Sequence, residues 1–323
     1  MPGRGARRSN GTRAVIALAC GLVVGTAAPA VAATHSGTRS GSHSGGGSGG
    51  RSATPTGNDI SYPQCGGSFP SGPAFGIVGV NDGLANNLNP CLGPSVTYPS
   101  YAHSELYWAA SVPTGVTAQP KASLYVNTAD PGNLYNGTPI ADWPTSGGNA
   151  TYGTCTTTTV TTKTGTASVG QNSTACAWQY GDNKGAQDAT WLSSAAGAID
   201  LQSPPTHVSG AVSNYPWWLD VETANSWQTG TTGQAMNIAD LQGMIAGLVG
   251  AGATTFGVYS TSSQWTSITG GGAPGSLAGL PDWVPGAKTL SGAQSNCKLP
   301  SFTAGKVTIT QFSGRIDSDY ACS

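Results

Sequence analysis

The 323-residue sequence predicts an α/β fold with parallel strands, and three observations carry that prediction. Short apolar runs of strand length recur along residues 57–323, stretches of helical period lie between them, and one such helix passes almost at once into a buried-type strand. The strand-like runs are FGIVGV (75–80), ASLYVN (122–127), WWLDVE (217–222), TTFGVYS (254–260) and KVTITQF (306–312). The helical stretches are KGAQDATWLSSAAGAI (184–199) and NIADLQGMIAGLVGAG (237–252). In the second, Ile238, Leu241, Ile245, Leu248 and Val249 keep three- and four-residue spacing until a Gly-Ala-Gly stop. A helix feeding a buried strand argues against a sandwich, and the length suits one large domain.

Three segments precede or interrupt that domain. Arg4, Arg7, Arg8 and Arg13 lead into an apolar run ending at Ala30-Val31-Ala32, which reads as a secretory signal peptide over 1–32 rather than a spanning helix. Residues 33–56 are dominated by Gly, Ser and Thr and predict a flexible linker, with His35 and His43 as solvated spacers. Within the domain, Asn127 to Asp182 breaks the strand–helix rhythm; its CTTTTVTTKTGTASVGQNSTAC reads as an inserted Thr-rich hairpin.

Charge and cysteine content narrow the function. Seven of the 13 basic residues and all 14 acidic ones lie in 57–323, a net charge of −7 with no basic footprint for nucleic acid. No second apolar span follows the signal, so the expected product is extracellular, free or wall-associated, and monomeric. Cys20 leaves with the signal. Six cysteines remain, and in an exported chain an even number predicts disulfides; pairing of sequence neighbours gives Cys65–Cys91, Cys155–Cys176 and Cys297–Cys322. Without a C-x-x-C pair a metal site is not expected, and no cofactor motif is present: there is no H-E-x-x-H, no phosphate-binding glycine loop and no nucleophile elbow. His103 and His207 are isolated in loops and carry no catalytic pattern.

The chemistry concentrates in PWWLDVETANSWQ (216–228). On a strand, residues two apart face one side, so Trp218, Asp220 and Glu222 share a face and Trp217, Leu219 and Val221 the other. In an α/β barrel the second set meets the outer helices, while the first points into the lumen near the carboxyl end, where barrel active sites form. Two carboxylates so close in a partly desolvated cleft cannot both ionise freely, and the pair retains a proton near neutral pH. Glycoside hydrolysis uses such a pair, one group to protonate the leaving oxygen and one to support the oxocarbenium-like centre. Trp217, Trp218 and Trp227 supply aromatic surface suited to sugars. The competing structural reading is a D-x-E that caps a loop or joins a buried ion-pair network, for which the domain offers few cations.

The order of motifs resembles glycoside hydrolase family 25, the lysozymes (N-acetylmuramidases) of irregular (β/α) TIM-like barrel fold, in a secreted bacterial, glycoside-hydrolase-like branch. The resemblance rests on GNDISYPQCG (Asp59, Ser61), PAFGIVGVNDG, LDVE (219–222), YST (259–261) and ITQFSGRIDSDYAC, and spans 57–323. It implies Glu222 as general acid, Asp220 as its orienting or electrostatic partner or as the group that positions the substrate's acetamido group, Asp59 on the cleft floor and Asp317, or its competitor Asp319, completing the acidic set. It further implies Trp218, Trp227, Tyr259 and Gln311 around the substrate, and cleavage of the β-1,4 bond between N-acetylmuramic acid and N-acetylglucosamine in peptidoglycan, by either stereochemical course. Three departures stand out: Thr310-Gln311 in place of Trp-Gln, YVNTADPG in place of an aromatic strand, and the cysteine-clamped insertion. They support the second expectation, a non-hydrolytic wall-glycan-binding or envelope-associated barrel with a degenerate site.

Overall fold

The computed structural model describes residues 55–322 except 113–114, 117–118 and 203–206. The expected signal peptide, and the expected linker up to residue 54, lie outside the described residues. Eight strands close into a barrel: β1 Thr56–Ile60, β2 Gly76–Gly79, β3 Ala122–Asn127, β4 Trp217–Asp220, β5 Phe256–Tyr259, β6 Asp282–Ala287, β7 Val307–Phe312 and β8 Ser318–Ala321. Consecutive strands are neighbours all the way round, and the ring is parallel except at β8, which runs antiparallel to both β7 and β1. The five residues between β7 and β8 are too few for a parallel crossover, so the chain must turn back on itself there.

Five α-helices follow β2 to β6 in turn: α1 Glu105–Ser111, α2 Thr174–Asp200, α3 Gly230–Gly250, α4 Ser262–Thr269 and α5 Leu290–Asn296. Hydroxyl caps start most of them. Ser104, Ser173, Thr261 and Thr289 accept from the backbone N–H of Tyr107, Cys176, Gln264 and Gly292. Among the described residues no α-helix follows β1, β7 or β8, hence an irregular (β/α) barrel rather than an eightfold one. The sequence places 184–199 in a helix and assigns 174–182 to the insertion. The structure corrects that boundary, because α2 begins at Thr174 and its first turn holds Cys176. Those turns read TACAWQYGD, mostly small or polar residues that give little apolar period to read.

The insertion forms three small antiparallel ladders. The largest pairs Thr157–Thr162 with Gly165–Gly170, the expected Thr-rich hairpin, and Cys155–Cys176 ties its base to α2. Cys65–Cys91 and Cys297–Cys322 complete the three neighbour pairings. No described helix is long and apolar enough to cross a membrane.

Alternation along the strands builds two cores. Outward-facing Leu124, Val126, Trp217, Leu219 and Val258 are buried against Leu192 and Ile199 of α2 and Leu241 and Leu248 of α3. Inward-facing Phe75, Ile77, Trp218, Trp283 and Ile309 fill the lumen. Each fully buried large side chain contributes about 1.5–3 kcal/mol. Helices α2 and α3 touch backbone to backbone: a Cβ added at Gly181 would lie 2.0 Å from the Asp240 carbonyl oxygen, and one at Gly243 2.0 Å from that of Trp178. A side chain at either place would push α3 off the barrel.

Candidate active site

The lumen core sets the floor of a cleft at the carboxyl end of the parallel strands. Trp283 is its hub, with ring centroids 4.5 Å from Tyr259, 5.9 Å from Trp218 and 6.1 Å from Tyr125, all edge-on. Parallel register sets Asp220 level with Asn127 on one side and Tyr259 on the other, so these three side chains form one rung above the aromatic plug. Asp59, Asp317, Glu222 and Gln311 complete the walls around a space of about 220 Å³. Carboxylates from β1, from the end of β4 and from the β7–β8 turn therefore share a single opening.

The acids differ in their surroundings. Asp220 is 6% exposed, its Oδ1 has no hydrogen-bond partner, and its carboxyl is pushed well above the usual range by burial, then by the charges of Glu222 and Asp59. Glu222 sits two residues on, past the strand end and half-buried. Its loop is braced three ways: Trp227 Nε1 and Asn225 N donate to its carbonyl oxygen at 2.8 and 3.1 Å, and Gln264 Nε2 from α4 approaches Oε1 at 3.4 Å. Gln264 also accepts from Thr223 N at 2.7 Å, which fixes the turn directly after Glu222.

On the opposite wall, Tyr259 OH donates to Gln311 Oε1 at 3.0 Å and Gln311 Nε2 donates to Asp59 Oδ2 at 3.0 Å. Asp59 is raised to about 6, first by burial and further by Asp317, with the Gln311 hydrogen bond opposing. Beneath it Asp319 is fully buried and accepts from Trp283 Nε1 at 2.9 Å. Burial, and then the adjacent Asp59, push Asp319 well above the carboxylate range. Asp317 is exposed at the rim, raised by partial burial, with its carbonyl oxygen held by Asn58 Nδ2 at 2.8 Å. The two aspartates that compete in the sequence thus divide the positions, Asp317 lining the opening and Asp319 lying under the floor.

Of the four expected substrate-contacting residues, Tyr259 and Gln311 line the cleft. Trp218 points into the lumen but one layer too deep, 3% exposed beneath the acids, so its face is unavailable to a sugar. Trp227 packs against the outer core and braces Glu222 through its indole N–H. Beyond the strand end, alternation no longer determines direction. Thr310, noted as a departure, is fully buried and faces outward, donating to the Ala293 carbonyl oxygen at 2.9 Å. Tyr125, Asn127 and Trp283 line the cleft without having been singled out. Trp283 escapes because β6 reads DWVPGA, whose Pro285 and Gly286 hide a strand with register shifts. The only described cluster with metal-ligand spacing is Cys65, Cys91 and Glu105, and its cysteines are joined in a disulfide.

A closed α/β barrel with an acidic cleft at its carboxyl-end mouth is the class this chain defines, and in sequence it is similar to the family 25 glycoside hydrolases. It shares 36% identity over 81 residues with the probable GH family 25 lysozyme 2 of Dictyostelium discoideum, covering 25% of this chain and 36% of that protein. With the probable GH family 25 lysozyme 4 of the same organism it shares 41% over 71 residues, 22% of this chain and 31% of that protein. The chain therefore matches about a third of the length of these relatives. No family model matches it. Among solved structures, muramidases from Trichobolus zukalii and Acremonium alcalophilum superpose at TM-scores of 0.39 and 0.40, each with 14% identity over 83% of this chain and 93% of theirs.

Proposed function

We propose that this chain is an exported lysozyme-like glycoside hydrolase that cuts β-1,4 bonds of cell-wall peptidoglycan by carboxylate acid/base catalysis. The observation that carries the proposal is the convergence of Asp59, Asp220, Glu222 and Asp317 on one solvent-open cleft whose lining holds no cation. The three disulfides suit an oxidising location outside the cell.

Access assigns the roles. Glu222 stands where a glycosidic oxygen can reach it, and delivers the proton to the leaving group. Asp220 is too enclosed to meet that oxygen; it keeps its proton and offers a hydrogen bond from the floor, the geometry needed to hold a sugar acetamido group. Asp59, ionised above about pH 6, faces the positive charge that develops on the sugar ring. Asp319, beneath Asp59, favours the ionised form of the Asp59 carboxyl.

The test is reducing-end release and turbidity loss from purified peptidoglycan, with wild type against Glu222→Gln. Turnover by wild type and a loss of about a thousandfold in the variant is the expected result. Equal inertness of both, across pH and wall types, rejects hydrolysis, and retention of the inert protein on insoluble peptidoglycan would then establish the glycan-binding reading.

A further inference from the structure

The acidic cleft does not end at Asp59. A second lobe of about 150 Å³ continues from it on the side away from Glu222, sharing Asp59, Tyr125, Asn127 and Asp317 and adding the turn Ser61–Gln64 and Gly83. The rings of the first lobe are poor platforms for a sugar: Trp283 is 2% exposed, and Tyr125 and Tyr259 are packed against it edge-on. Tyr62, at 45% exposed, is the one ring lining either lobe that presents an open surface.

Tyr62 is also held rigidly. Its 3₁₀ turn, Tyr62–Gln64, is closed by Gln64 N donating to Ser61 O at 2.8 Å and by Ser61 N donating to Gln64 Oε1 at 2.9 Å. Pro63 lies within the turn, and the Cys65–Cys91 disulfide anchors its end. Beside the ring, Gly83 has φ +87, and a Cβ there would stand 3.1 Å from Tyr62 Cε1. A ring fixed in place before binding loses little entropy when a ligand stacks on it.

Charge selects the ligand. Asp59 and Asp317 line the lobe, and no lysine, arginine or histidine does. A carboxylate brought between them meets like charge and finds no counter-ion. We propose that this lobe is a specificity subsite that stacks an uncharged N-acetylhexosamine on Tyr62 and rejects a sugar bearing a free carboxylate. The proposal rests on the glycosidase reading and adds the substrate class of one subsite.

Binding measured in the Glu222→Gln protein separates the two. Titrations use chitotetraose, which is neutral, and peptide-stripped peptidoglycan strands, whose lactyl carboxylates are free. The neutral oligosaccharide binds more tightly, adding Tyr62→Ala weakens it about tenfold, and adding Tyr62→Phe leaves it nearly unchanged. Adding Asp317→Asn instead tightens the stripped strands severalfold. Unchanged chitotetraose affinity in the Tyr62→Ala protein, with its melting temperature retained, overturns the proposal, as does equal binding of both glycans. Neither result touches wild-type release of reducing ends from the wall, on which the glycosidase reading stands or falls.

Discussion

Two sets of buried acids in this molecule make an instructive pair. One lies at the cleft: half-buried Asp59 and buried Asp220 in its lining, and buried Asp319 beneath its floor. The other lies in the helix layer, where Asp188 of α2 and Asp240 of α3 are each 1% exposed with both carboxyl oxygens unpartnered. Burial raises both sets well above the carboxylate range, and in the helix layer the charge of Lys184 opposes it. Lys184 itself is committed elsewhere, bridging to Asp142 of the insertion and lying 5.3 Å over the Tyr180 ring. A perturbed carboxyl is therefore common to both regions. Asp59 and Asp220 open on a cavity shared with Glu222 and Asp317, and access, not the pKa shift, distinguishes a site from a packing compromise.

The comparison can be broken first at Asp59. In the mechanism proposed above, Asp59→Asn would remove the charge assigned to the developing oxocarbenium centre, and peptidoglycan turnover should then fall by about a hundredfold or more in steady-state assays. The sign of its stability effect is opposite. A carboxyl whose folded pKa is raised to about 6 favours folding below the unfolded value of 3.8, and that contribution is lost as pH rises through 6. Melting temperature at pH 8 should accordingly rise in Asp59→Asn; a fall would mean that the ionised form is the one the fold prefers.

Glu105 sharpens the contrast from outside the site. It is fully buried in α1, raised to about 7 by burial against an Asn89 hydrogen bond of 2.7 Å. Its contribution is complete below pH 4.5 and lost through pH 7, on the order of 3 kcal/mol. Asp130, raised to about 6 by burial despite two 2.8 Å bonds from Gln228, acts in the same direction. Thermal melts should show a protein more stable near pH 5 than near pH 8, with Glu105→Gln flattening that slope and leaving turnover intact. A slope unchanged in the variant would remove Glu105 from the account.

A smaller effect is expected at Gln264, which positions the Glu222 loop without reaching the cleft. Gln264→Leu should lower kcat by about tenfold with KM little changed, since a misplaced acid slows chemistry more than binding. A KM change alone would place Gln264 in substrate binding instead. Smallest of all, Cys155→Ser with Cys176→Ser should loosen the inserted hairpin and leave peptidoglycan turnover within about twofold, because the hairpin's ladder is separate from the barrel.

Much of this architecture was legible because period and burial agree. WWLDVE alternates cleanly, and its odd positions meet α2 and α3 while Trp218 and Asp220 turn inward. Alternation gives direction but not depth, which is why Trp218 proved to be floor rather than wall. β6 was hidden by Pro285 and Gly286, and with it Trp283, the hub of the lumen. Tyr125 and Asn127 lie in a strand recognised from its apolar run, yet their place in the cleft follows from register with Asp220, which no single segment reveals. The acid cluster itself joins residues 59 and 317 through closure of the ring at β1 and β8, a long-range pairing that only the resemblance in motif order anticipated.

The most direct test sets the two regions side by side: Glu222→Gln and Asp188→Asn, each measured for peptidoglycan hydrolysis and for melting temperature. The account predicts that Glu222→Gln loses turnover and keeps its melting temperature, whereas Asp188→Asn keeps turnover and changes its melting temperature. Hydrolysis that survives Glu222→Gln, or that disappears with Asp188→Asn in a protein still folded at the assay temperature, would contradict it.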